Sequence, residues 1–202
     1  MTVSDAQRHD AILDAAREVF RDVGFNGATL VRIAVTAGVT YAELVDEFPD
    51  KDALLHEVLR LRDAEDDERM DLDAITDADA ALEAVVDMVR RNIESKGMVE
   101  LFTVLAGESV SESNPGHAFF AQRYAERRER IARTYRRGAE AGVLRPDWDP
   151  DLSAVVLLAL LDGLQIQWLL SGGEIDMVNI MRRHLNRQIV RPEAPDDSDV
   201  NA

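Results

Sequence analysis

Apolar residues recur at steps of three and four along nearly the whole chain, and capping signals bound each run. That periodicity leaves room for helices and little else. Ile12, Ala16, Val19, Phe20 and Val23 make the first stripe. Ser4-Asp5-Ala6-Gln7 ahead of it fits a capping box, and Gly24 is expected to end it, since glycine tolerates the left-handed helix terminus. A short helix is predicted from Leu30 to about Thr36, after Thr29, followed by a tight turn at Ala37-Gly38-Val39. Thr40-Tyr41-Ala42-Glu43 is a second capping box opening the next helix. Phe48-Pro49 closes it, because the residue before proline is pushed out of the α region. Asp50 caps a longer helix over 51–69. Further helices are predicted at 77–95, 98–110, 115–141, 150–170 and 175–190. Breaks are expected at Lys96-Gly97, at SESNPG, at the GVLRPDWDP loop and at Ser171-Gly172-Gly173. No alternating run bounded by hairpin turns reads as a strand. The fold class is all-α with about nine helices.

Hydrophobic residues make up 46% of the 202, enough for a sizeable core. The absence of cysteine removes disulfides and thiolate metal sites. No charged segment followed by an apolar one marks the N-terminus for secretion. The apolar run 154–170 is interrupted by Asp162, Gln165 and Gln167 and falls short of the roughly 20 residues of a membrane span. A cytoplasmic protein without membrane association is expected. The net charge of −16 argues against indiscriminate binding to nucleic acid but leaves room for a local basic surface. The acidic, proline-bearing tail 192–202 is expected to be disordered.

Two short helices joined by Ala-Gly-Val have the spacing of a helix-turn-helix, with Ile33, Ala34, Val39, Leu44 and Phe48 placed to fix the crossing. Residues 11–59, AILDAAREVFRDVGFNGATLVRIAVTAGVTYAELVDEFPDKDALLHEVL, resemble the N-terminal domain of the TetR family of bacterial regulators. The matching positions include Ala15, Ala16, Phe20, Gly24, Thr29, Ile33, Ala34, Ala37, Gly38, Val39, Leu44, Phe48, Lys51, Leu54 and Leu55. Downstream, DGLQIQWLL at 162–170 is similar to a segment of the family's last long helices. The resemblance implies a helix-turn-helix DNA-binding domain over 1–50, with the motif itself at 29–48, and a helical effector-binding and dimerisation domain over 51–191. It implies a homodimer joined through its last two long helices on a palindromic operator in double-stranded DNA. The function it implies is a ligand-responsive, DNA-binding transcriptional regulator, a repressor released by a small molecule. The alternative is a dimeric small-molecule or protein-binding module of the same fold that has lost duplex binding.

The resemblance also exposes departures. Threonine, tyrosine and histidine are common in the family where this chain has Glu43, Val45 and Glu47. Residues 1–60 hold six Lys/Arg against eleven Asp/Glu. A carboxylate about 4 Å from a phosphate meets repulsion of roughly 4 kcal/mol at a surface-like dielectric. Glu43 is nevertheless placed to close the capping box on Thr40, or to accept from a cytosine amino group. Asp46 and Glu47 are expected to face solvent. The candidate DNA contacts are Thr29, Arg32, Thr40, Tyr41, Ala42, Glu43 and Lys51, the last as a point charge on phosphate.

For the effector, polar and aromatic groups among aliphatic ones are the candidates: Phe102 and Leu105, Phe120 and Tyr124, Gln165 and Trp168, and His117. They imply an apolar or aromatic small molecule. The stretch 150–170 is apolar on nearly all faces, one of which is expected to meet a partner subunit. No constellation for enzyme chemistry or a cofactor is found. Gly107-Glu108-Ser109-Val110-Ser111 lacks the second glycine of a nucleophile elbow, and the four histidines lack metal-ligand spacing. The arginine-rich stretch 123–137 reads as a solvated helix with favourable pairs four apart, Glu126–Arg130 and Glu129–Arg133.

Overall fold

The computed structural model describes residues 5–69, 78–114 and 116–190. Ser4, Asp77, Pro115 and the tail 192–202 lie outside them, so the first capping box, two predicted helix starts and the expected disorder of the tail are not addressed by it. The described residues form nine α-helices: α1 (Asp5–Gly27), α2 (Leu30–Ala37), α3 (Tyr41–Glu47), α4 (Lys51–Arg69), α5 (Ala78–Glu94), α6 (Lys96–Glu108), α7 (His117–Glu140), α8 (Pro150–Leu170) and α9 (Met177–Asn186). The all-α expectation holds. The only β-type pairing among them is an isolated bridge between Leu144 and Ile189.

Several boundaries differ from the sequence-based ones for identifiable reasons. Gly24 does take a positive φ of 68°, but one further turn follows it, so α1 kinks there rather than stopping. The break expected at Lys96-Gly97 falls one residue earlier, at Ser95, so Gly97 is inside a helix. It lies in the first turn of α6, where a Cβ would come within 2.3 Å of the Arg21 carbonyl oxygen; it is there to let α6 press against α1. Helix α9 starts at Met177 because the Asp176 side chain accepts from the Asn179 N–H at 2.9 Å. It ends before Val190 because that stretch pairs with the loop after α7. Arg145 N–H donates to the Gln188 carbonyl at 2.9 Å, and Val190 N–H to that of Val143 at 3.0 Å.

Two apolar cores result. The first gathers Ile12, Val19 and Phe20 of α1, Ile33 of α2 and Leu44 of α3 with Leu54, Leu55, Val58 and Leu59 of α4, and reaches Met98, Leu101 and Leu105 of α6. The second joins α5, α8 and α9 through Val86, Val89, Leu164, Trp168, Met177 and Met181. Helix α8 has 21 residues and is long and apolar enough to cross a bilayer by length and composition, so the apolar run is longer than the sequence suggested. Within the fold it packs on α7, α6 and α9, with Ser153, Ala154, Leu158, Leu164, Gln165 and Trp168 buried.

Candidate functional site

The turn between α2 and α3 is built from local hydrogen bonds. Thr29 caps α2, its hydroxyl accepting from the Arg32 N–H at 3.1 Å. Gly38 takes φ 71°, ψ 26° and lets the chain double back, with the Val39 N–H donating to the Ala34 carbonyl at 3.1 Å. Thr40 then caps α3 in a complete capping box. The Glu43 carboxylate accepts from the Thr40 N–H at 2.8 Å and from its hydroxyl at 2.7 Å, and the Glu43 N–H donates back to that hydroxyl at 3.2 Å. These bonds hold the Glu43 carboxyl below its ordinary pKa, the Thr40 hydroxyl contributing most.

Glu47 does not face solvent as expected. Its carboxylate is turned into the fold, where it accepts from His9 Nδ1 at 2.5 Å and lies 3.6 Å from the Arg8 guanidinium. His9 in turn stacks on Phe48, ring centres 5.5 Å apart. Val45 is half-buried against the first core. Of the three acidic side chains on α3, then, Glu43 is folded back on its own helix terminus, Glu47 meets Arg8 and the His9 ring of α1, and Asp46 is exposed. Thr29, Arg32, Thr40, Tyr41 and Ala42 remain on an exposed surface, Tyr41 at 52%. Lys51 is less available. Its ammonium donates to the carbonyls of Phe25 at 2.6 Å and Ala28 at 3.0 Å, and stands 4.1 Å from the Phe25 ring centre. Two of its three N–H groups are thereby spent on closing the end of α1.

The helical bundle behind this surface is hollow in two adjoining places. The larger cavity, about 120 Å³, is walled by aliphatic side chains of α5, α7, α8 and α9, with Arg127, Arg130, Thr134 and Tyr135 as its polar members. The Tyr135 hydroxyl donates to the Gln188 side-chain oxygen, and burial pushes its pKa up to about 12, so it stays neutral. The smaller, about 40 Å³, is ionic, containing Arg62, Asp63, Asp66, Arg123, Arg127 and Asp162. Arg123 grips Asp63 through two nitrogens, Arg127 reaches the same carboxylate at 3.3 Å, and Arg91 reaches Asp66 at 3.2 Å. Tyr124 donates its hydroxyl to Asp162 at 2.8 Å.

Of the residues nominated for the effector, Phe102, Tyr124 and Gln165 border the smaller cavity. Leu105 and Phe120 sit in the first core, Trp168 in the second, and His117 bonds through Nδ1 to the Ser109 carbonyl at 2.9 Å. The larger cavity was missed, because aliphatic residues three and four apart look the same lining a void as filling a core. The signal that existed was arginine: Arg127 and Arg130 lie three apart, so α7 presents both to one side.

Residues 12–58 match the model of the bacterial regulatory proteins of the tetR family, and residues 79–190 that of the BetI-type transcriptional repressor C-terminal domain. The chain belongs to the TetR family. Among the relatives of this TetR-family protein, the HTH-type transcriptional repressor Rv1474c of Mycobacterium tuberculosis is 30% identical over 174 residues, covering 84% of this chain and 85% of that one. The HTH-type transcriptional repressor BepR of Brucella suis is 26% identical over 200 residues, covering 94% of each. Among solved structures, a putative transcriptional regulator from Saccharomonospora viridis in complex with choline is 30% identical. It covers 94% of this chain and 100% of its own, with a TM-score of 0.69.

Proposed function

We propose that this TetR-family protein is a homodimeric repressor that reads a palindromic operator in double-stranded DNA with α2 and α3 and leaves it when a small molecule occupies the bundle. Residues 1–50 form the reading unit and 51–191 the effector and dimerisation unit, acting in the cytoplasm. The observation that carries the reading is the surface of α3. Two of its three carboxylates are engaged, Glu43 in the capping box and Glu47 with His9 and Arg8, while Asp46 stays exposed; Thr40, Tyr41 and Ala42 are presented beside Thr29 and Arg32. A helix so displayed meets base edges, and two copies one DNA turn apart meet half-sites.

Coupling runs along α4. Leu54, Leu55 and Val58 of this helix lie under the reading helices, while its Arg62, Asp63 and Asp66 border the ionic cavity. A ligand there repositions α4 only if it binds more tightly to the arrangement that does not fit DNA. The dimer is supported by the outer face of α8, where Leu152, Val155, Val156, Ile166 and Leu170 are exposed together.

The test is selection of genomic fragments by the purified protein across a salt series. With Arg32 of the reading unit and Lys51 just after it, the latter through the one N–H not given to the Phe25 and Ala28 carbonyls, a dimer engages about four phosphates, and log affinity falls against log salt with a slope of about −4. Arg32→Ala reduces that slope and weakens all sequences alike; Tyr41→Ala weakens the selected sequence most. A protein that retains no fragment even in low salt belongs instead to the class of ligand-binding modules that have lost duplex affinity.

A further inference from the structure

The two cavities share Met88, Arg127, Leu158 and Leu161 as common wall, yet they differ in kind. The smaller neutralises itself. It is lined by three arginines, Arg62, Arg123 and Arg127, and three aspartates, Asp63, Asp66 and Asp162. Arg123 and Arg127 hold Asp63, Arg91 holds Asp66, and the Tyr124 hydroxyl donates to Asp162. Arg62 donates to the amide oxygen of Asn92; burial lowers its pKa, and the charges of Asp66 and Asp63 act against that. An ion of either sign entering here has to displace a partner already in place. For an alkylammonium the aromatic face is covered as well, since the Arg123 guanidinium lies 4.3 Å from the centre of the Phe102 ring.

The larger cavity has few polar groups, and these too are committed within the protein. Thr134 donates its hydroxyl to the Arg130 carbonyl at 3.2 Å, Tyr135 donates to Gln188, and Arg127 reaches Asp63 at 3.3 Å. Burial lowers the pKa of Arg130, with the charges of Asp63 and Asp66 opposing. A charged head group brought in would give up its water and meet no counter-charge in need of it, which is unfavourable. What the chamber offers is aliphatic surface, from Leu82, Val85, Ile131, Leu144, Leu157 and Leu161 among others. Tyr135 is its one aromatic member among the described residues, so ring stacking adds little for an aromatic ligand. Its volume of about 120 Å³ is near that of an apolar cavity of about 150 Å³ that stays free of water and takes up benzene. Met88 and Met181 in the wall can adjust to the outline of an occupant.

We propose that the chamber between α5, α7, α8 and α9 binds an uncharged aliphatic molecule of about six carbons, held by burial of its hydrocarbon and not by a charged head group. This assignment of chemistry rests on the reading of the bundle as the effector unit, but its binding test does not require DNA. The link to that reading is Arg127, which belongs to both walls and holds Asp63 of α4.

Hexanol, hexanoate and hexylammonium share one chain and differ in head group. Each is titrated at pH 7 into the full-length protein, with binding followed by NMR of the valine, leucine and isoleucine methyl groups. Hexanol is expected to bind about tenfold or more tightly than either ion and to shift the methyl signals of Val85, Ile131 and Leu157. Val85→Trp and Leu157→Trp, which fill the chamber, each weaken hexanol about tenfold or more. No binding of hexanol, an ion that binds as tightly, shifts confined to methyl groups outside the chamber, or undiminished affinity in a folded filling variant overturns the proposal. The comparison of head groups on the unaltered protein decides even if both variants fail to fold. If hexanol binds as stated yet leaves the affinity for a selected DNA fragment unchanged, the aliphatic assignment stands and the effector reading falls.

Discussion

One oxygen of the Glu43 carboxylate, Oε2, accepts from both the N–H and the hydroxyl of Thr40, so a residue that looks hostile to phosphate in the sequence is a helix cap in the fold. Because those bonds lower its pKa, the stability it contributes is present above the ordinary glutamate value and is lost as pH falls through the lowered one. Two histidines act in a higher window. His56, on α4, stacks on Phe119 of α7 with ring centres 4.1 Å apart; burial lowers its pKa, with Asp52 and Asp50 opposing. His184, on α9, is lowered by burial and then by Arg187. In both cases the unfolded chain takes up the proton more readily than the folded one. Stability from these sites is therefore full above the ordinary histidine pKa of about 6.5 and declines as pH drops through it. Urea denaturation between about pH 7.5 and about pH 5.5 is expected to show a falling midpoint. The double variant His56→Phe, His184→Gln should show a flatter profile over that interval. A midpoint that rises on acidification would contradict the burial of both rings.

Among the helices, the joint between α1 and α6 is where reading unit and bundle touch most tightly, and glycine sets the distance. A Cβ at position 97 would lie 2.3 Å from the Arg21 carbonyl oxygen, with no flexible side chain to give way. Gly97→Ala is expected to destabilise by about 1–3 kcal/mol, as overpacking does, and to force α6 away from α1. Gly107 lies in the same helix with nothing within 4 Å of a built Cβ, so Gly107→Ala should stabilise by roughly 0.5–1 kcal/mol. Chemical denaturation of the two variants side by side checks the assignment, and similar effects at both positions would refute it. The pair also shows where sequence reading stops. Periodicity and caps disclosed the helices, because Thr29, Thr40 and Gly38 act through neighbours within a turn. Gly97, by contrast, meets a residue 76 positions away, and the same letter that breaks one helix serves close packing in another. The withdrawal of Glu47 by His9, 38 positions distant, was illegible for the same reason. Trp168 looked like a ligand anchor and fills the second core, since an aromatic at helical spacing carries no mark of what it faces.

At the scale of the whole molecule, the exposed positions of α8 form one continuous strip. Leu152, Val155, Val156, Ala159, Ile166 and Leu170 advance by three or four residues, with Gly163 between them, and Leu170 is 83% exposed. Burying an isoleucine-sized side chain is worth roughly 1.5–3 kcal/mol, so a folded protomer carrying several in water is poorly placed to remain alone. A two-fold contact uses each such residue twice. Ile166→Glu tests this with little risk to the protomer, because the side chain is already 45% exposed and glutamate is a good helix former. Two losses per dimer are expected to raise the dimer dissociation constant about a hundredfold or more. Sedimentation should then show monomer at concentrations where the unaltered protein is dimeric, with the helical circular dichroism signal retained. Affinity for the selected DNA fragment should collapse in parallel, since a lone reading unit with few cations engages one half-site only. If Ile166→Glu sediments as a dimer, the partner surface lies elsewhere, and the placement of two reading helices through α8 and α9 falls with it.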